Sequence, residues 1–231
     1  DLQAYSGTVE PTTGGTVVTD PGFKPGLIFF VNIGARAVDK DAETVHNIIS
    51  IGVAALNAAG TDYTNVMLAA FDQDNLSSVT NSGSFVSDTY SSGQYFNGTL
   101  SWGASAGSPT SSGFTLTSNA SAGNDIVAYL ALDLGDRSAW AGVVDSPTSA
   151  GSDWTVTDPN FEPQSFGLFP SKNTSLGSQN GYTVGNYASD GTREAGHLQM
   201  SEDAVGTSNV NEITTAGLKL YDASGSTLLH E

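Results

Sequence analysis

Gly103-Ala104-Ser105-Ala106-Gly107 matches, letter for letter, the G-x-S-x-G elbow of serine hydrolases, in which the serine sits where a strand turns into a helix. The next five residues, Ser108-Pro109-Thr110-Ser111-Ser112, have a loop composition that starts no helix. None of the three histidines, His46, His197 and His230, has the spacing that would make it a base for Ser105. The expectation is a Ser/Gly-rich loop at 103–107 and a chain that is not an enzyme. A second pattern is acidic. Asp39, Asp41 and Glu43, then Asp72 and Asp74, place carboxylates at alternate positions as calcium loops do, yet neither group opens a twelve-residue EF-hand loop. Solvated acidic turns are expected, with no metal and no cofactor. A third pattern is aromatic. Trp102 and Trp154, with Tyr5, Trp140 and Tyr187, would suit a sugar-stacking platform, although aromatic residues within strands usually belong to a core. Asn75, Asn97, Asn119 and Asn173 open glycosylation sequons of the kind that Asn/Ser/Thr-rich chains produce by composition alone.

The charge balance removes other chemistries. There are 24 acidic residues against 7 basic ones, a net charge of −17. Such a surface repels nucleic acid, so no nucleic-acid partner is expected. It suits high salt, where screening relieves the repulsion among carboxylates. With no cysteine, disulfides and thiolate metal sites are both ruled out. No apolar run is long enough to cross a bilayer as a helix, and no membrane partner is expected.

The elements that would position these residues come in two copies. "VTDPGFKP" at 18–25 returns as "VTDPNFEP" at 156–163, and each precedes a largely apolar stretch. The match extends both ways: "YSGTVEPTTGG" (5–15) with "WAGVVDSPTSAG" (140–151), "SIGVA" (50–54) with "TVGNY" (183–187), and "FDQD" (71–74) with "MSED" (200–203). Order is kept while the offset drifts, as insertions between repeated elements would cause. A repeat of this length is a duplicated domain rather than a solenoid. Two units are therefore expected, 1–136 and 137–231, with Phe23 and Phe161 at equivalent core positions. The second unit runs out before any counterpart of "GFTLTS" or "DIVAYLALDL". Its completion is expected from further C-terminal residues or from a strand of a neighbouring subunit.

Strand signals dominate both copies. "GLIFFVNI" (26–33) reads as a buried strand bounded by Pro25 and Gly34. "ETVHNIISIGVAALNAAG" (43–60) fits a helix or a strand, and its glycine-flanked copy "NGYTVGNYASDG" decides for strand. "NVMLAAF", "GTLSW", "GFTLTS" and "DIVAYLALDL" complete the first unit, with Asn97-Gly98 and Pro109 among the turns. Seven or eight short strands per unit predict an all-β chain of two tandem β-sandwiches, jelly-roll-like in type.

"GFKPGLIFFVNIG", "SIGVA", "FDQDN" and "SSGFTLTSNASAGNDIVAYLAL" together resemble a recurring virion-associated family of tailed phages and tailed archaeal viruses. The resemblance covers nearly all of the first unit and the second to about Met200. Ser112 stands where that family usually has Asp before G-F-T-L, and "TVGNY" replaces its S-I-G strand. It implies a structural subunit on the outside of a virion, as capsid decoration, turret, tail or fibre. Its partners would be further copies of itself and neighbouring virion proteins. The alternative is a carbohydrate- or receptor-binding module that contacts a cell-surface glycan.

Overall fold

The computed structural model describes residues 2–34, 46–73, 82–96, 99–122, 125–145, 156–164, 166–168, 181–189, 194–202, 209–213, 220–221 and 228–230. Every regular element among them is a β-strand. The first ten are β1 (Ala4–Val9), β2 (Thr16–Val18), β3 (Leu27–Asn32), β4 (His46–Leu56), β5 (Tyr63–Gln73), β6 (Ser82–Ser87), β7 (Ser92–Phe96), β8 (Thr99–Thr110), β9 (Gly113–Ser118) and β10 (Val127–Leu132). They form a six-stranded sheet in the order β1-β10-β3-β4-β5-β6 and a four-stranded sheet in the order β2-β9-β8-β7. All their strand pairings are antiparallel. Pairing of β1 with β10 and of β2 with β9 nests the chain as a jelly roll does, while β3 to β6 run as a plain meander.

The core lies between the two sheets because strand residues alternate in direction. Ile28 and Phe30 of β3, Val127 and Tyr129 of β10, Trp102 and Ala104 of β8, and Phe114 and Leu116 of β9 all point inward. Phe114 meets Phe30 and Tyr129 edge-on, with ring centroids 5.9 and 5.4 Å away, which ties one sheet to the other. A second cluster of Met67, Ala69, Phe71 and Tyr95 extends the core beneath β5 and β7.

Three sequence expectations need correction. The described residues of the first unit form ten strands rather than seven or eight. The stretch 103–110 is not loop: β8 runs through it to Thr110. Glycine is needed there for packing, since a β-carbon on Gly103 would lie 2.6 Å from the ring of Tyr90. Finally, "GLIFFVNI" is buried on one face only, with Val31 and Ile33 exposed.

That outer face is nonetheless apolar. Opposite the core, the registered rows read Leu130, Phe29, Val53, Val66 and then Ala128, Val31, Ile51, Leu68, Val86. Ala139 and Ala141 cover one end of it, packing with Leu27, Phe29, Val53, Ala55 and Val66. Leu130, Val31 and Ile49 are each 40–42% exposed. Antiparallel sheets with a solvated face usually show polar residues there.

Beyond Leu132 the chain forms β11 (Phe166–Leu168), β12 (Gly181–Ser189), β13 (Glu194–Glu202), β14 (Asn209–Ile213), β15 (Leu220–Tyr221) and β16 (Leu228–His230). The sheet order β11-β12-β13-β14 is an antiparallel meander like β3-β4-β5-β6. The repeated octapeptide adopts the same turn twice. The amide of Gly22 donates to the carbonyl of Thr19 (3.1 Å), and that of Asn160 donates to Thr157 (3.4 Å). Gly22 and Asn160 both have left-handed backbones, with φ of 71° and 56°. Glycine and asparagine are the residues that tolerate this conformation, which accounts for the Gly-to-Asn exchange between the copies. The expected equivalence of the two phenylalanines fails, however. Phe23 is 8% exposed in the core, whereas Phe161 is 37% exposed. Residues 140–144, aligned with β1, carry no strand.

Candidate functional site

An open groove of about 790 Å³ lies at one end of the sandwich. β7 makes it possible by stopping short. Its pairing with β8 ends at Ser92 opposite Ala104, so beyond that point β8 has β9 on one side only. A bare strand edge at this depth would leave backbone groups unmet. Asn65 of β5 meets them: its Nδ2 donates to the carbonyl of Ala106 (3.0 Å), and its Oδ1 accepts from the amide of Ala106 (2.9 Å). The same Nδ2 reaches the carbonyl of Tyr63 at 3.2 Å. This buried amide fixes the groove floor, with both Nδ2 hydrogens spent on backbone carbonyls.

The wall of β8 contributes Ser105, Gly107 and Ser108. The register of β8 with β9 shifts between Gly107 and Thr110, and Ser108 within that bulge has φ of 46°. Bulges re-aim side chains at the margins of sheets. Across the groove stand the turn into β5 (Thr61, Asp62), the bend after β6 (Asp88, Thr89), the Trp140–Val143 segment and Asp158 of the second octapeptide turn. Asp62 Oδ1 accepts from the amide of Tyr63 (2.9 Å), and Asp88 Oδ1 from the hydroxyl of Thr89 (3.3 Å). Trp140 is half-buried, and its indole lies against Gly142, where a β-carbon would collide with the ring. Tyr63 is committed to the core, donating its hydroxyl to the carbonyl of Pro25 at 2.9 Å. Burial, reinforced by the neighbouring Asp62, pushes its ionisation far above the normal tyrosine range.

The residues singled out in the sequence disperse. Trp102 is not a sugar platform. It is 1% exposed and donates its indole N–H to Asp125 Oδ2 at 3.0 Å, because its position on β8 points toward the facing sheet. Ser105 sits within a strand, opposite Thr117, rather than at a strand-to-helix elbow. His46, His197 and His230 lie on β4, β13 and β16. Asp72 lies on β5, paired with Asn47. Asp39, Asp41, Glu43, Asp74 and Trp154 fall outside the described residues. Among the described residues, no three acidic or histidine side chains converge as a metal site. Of the groove lining, the sequence pointed to Ser105 and Trp140 as site candidates but not to Asp62, Asp88 or Asp158, the last known only as part of the repeated octapeptide.

Compared with family models, curated proteins and solved structures, the chain matches none.

Proposed function

We propose that this chain is a structural subunit on the exterior of a tailed-virus particle. The observation that carries the reading is the apolar outer face of the six-stranded sheet. The sheet spends one face on its own core and presents Leu130, Val31 and Ile49 on the other. Exposed apolar patches of this kind mark surfaces that pack against other protein. Further copies of the chain and neighbouring virion proteins are the partners that the reading assigns to it. The charge of −17 supports an outward position, away from packaged nucleic acid. The resemblance of "GFKPGLIFFVNIG" and "GFTLTSNASAGNDIVAYLAL" to virion-associated proteins points the same way.

The test is incorporation. Val31→Glu and Leu130→Glu place charge on exposed positions and should leave the purified chain folded. Particles assembled with either variant should contain far less of it than wild-type particles. Normal incorporation of both variants would sink the assembly role of this face.

A further inference from the structure

We propose that the groove between β8 and Trp140 binds a neutral glycan chain, with Trp140 as the stacking platform. The proposal does not depend on the virion reading. The volume of about 790 Å³ falls within the roughly 300–1,000 Å³ of small-ligand sites. The lining holds carboxylates, hydroxyls and backbone, and no lysine, arginine or histidine. In a chain of net charge −17 such a groove repels phosphates, sulfates and uronates. What remains favourable is a neutral ligand rich in hydroxyl groups, which carboxylate oxygens accept from and Ser/Thr hydroxyls both donate to and accept from.

The groups present separate into structural and available ones. Asn65 and Tyr63 are spent on the fold. The side chains of Ser105 and Asp158 and the indole N–H of Trp140 make no hydrogen bond among the described residues. Asp62 and Asp88 each use Oδ1 locally, which leaves Oδ2 to accept from a ligand. Trp140 supplies what hydrogen bonds cannot: a flat apolar surface, backed by Gly142, for the C–H face of a sugar ring. A cation would favour a cage of several rings, and Trp140 is the one aromatic of the lining that is not buried in the core.

Backbone geometry is a second observation at the same place. Among the described residues, the two non-glycine residues with left-handed φ are Ser108 and Asn160. Ser108 is in the groove wall, and Asn160 lies two residues after Asp158. For a serine, whose β-carbon crowds the following carbonyl oxygen, this conformation is sterically unfavourable. Such strain clusters where a side chain or amide must be aimed.

The experiment is saturation-transfer NMR on the full chain in molar NaCl. The probes are neutral oligosaccharides of glucose, mannose and galactose, an acidic uronate oligomer, and tetramethylammonium. Signal transfer to at least one neutral oligosaccharide is expected, with none to the uronate. Trp140→Ala should weaken that binding about tenfold, the size of one lost stacking contact, while Trp140→Phe should keep most of it. Asp88→Ala should weaken it several-fold, and it decides the matter should Trp140→Ala fail to fold. Binding of no neutral oligosaccharide, unchanged binding by Trp140→Ala and Asp88→Ala, or binding of tetramethylammonium alone would each overturn the proposal.

Discussion

Trp102→Phe should cost the first sandwich about 2.5–5 kcal/mol without touching the groove. Trp102 and Asp125 are 1% and 2% exposed, and the indole N–H reaches Asp125 Oδ2 at 3.0 Å. Losing a hydrogen bond to a carboxylate is worth about 1.5–3 kcal/mol, since the acceptor stays buried. Exchanging the indole for a phenyl ring leaves a void in the core cluster that Trp102 shares with Ala104 and Tyr129, for roughly 1–2 kcal/mol more. Against a total stability of about 5–15 kcal/mol this is a large fraction. It corresponds to a fall in melting temperature of roughly 5–20 °C for a chain of this size. Denaturant titrations monitored by near-UV circular dichroism, in molar NaCl, give the numbers. Combining Trp102→Phe with Asp125→Ala closes a double-mutant cycle, and the coupling should be about 1.5–3 kcal/mol. Additivity within about 0.5 kcal/mol, or a cost of Trp102→Phe below about 1 kcal/mol, would refute the buried pair.

The same physics fixes the sign of three further perturbations, at Tyr129, at Gly52 and in salt. The hydroxyl of Tyr129 is buried and has no hydrogen-bond partner among the described residues, so Tyr129→Phe should be neutral or stabilising by up to about 1–3 kcal/mol in thermal melts. Burial, with smaller contributions from Tyr5 and Asp20, raises the ionisation of Tyr129 from 10.0 to about 12. The unfolded chain releases that proton near pH 10, so stability should be intact below pH ~10 and fall as pH rises toward 12. A flat alkaline limb would contradict this. Gly52→Ala should destabilise by about 1–3 kcal/mol or more, because its β-carbon would run into the carbonyl oxygen of Ser91, and a wild-type denaturation midpoint would count against that packing. Melting temperature should climb with NaCl into the molar range as screening relieves the repulsion of −17, and millimolar calcium should not replace the salt. Equal stability in dilute buffer would remove the high-salt reading.

Strand identity was legible where period and composition agreed, as in Leu27–Asn32, Val127–Leu132 and Gly113–Ser118. At His46–Leu56 the repeat decided what periodicity alone left open. The sequence misled at 103–110, where Gly, Ser and Pro look like loop. In the fold those small residues let β8 pass close under Tyr90, and a side-chain amide from the opposite sheet stands in for the missing neighbour strand. Apolar runs also do not reveal whether one face or both are covered, so the exposure of Val31 and Leu130 emerged only from the register. The groove was least legible of all. Its walls come from Asp62, Asp88, Ser105, Trp140 and Asp158, which no local spacing connects.

Immunogold labelling of intact particles, with antibody raised against the purified chain, tests the central reading most directly. A structural subunit of the particle exterior predicts gold at regular positions on undisrupted particles, in many copies each. Particles that label only after disruption, or purified particles that lack the chain, would contradict it.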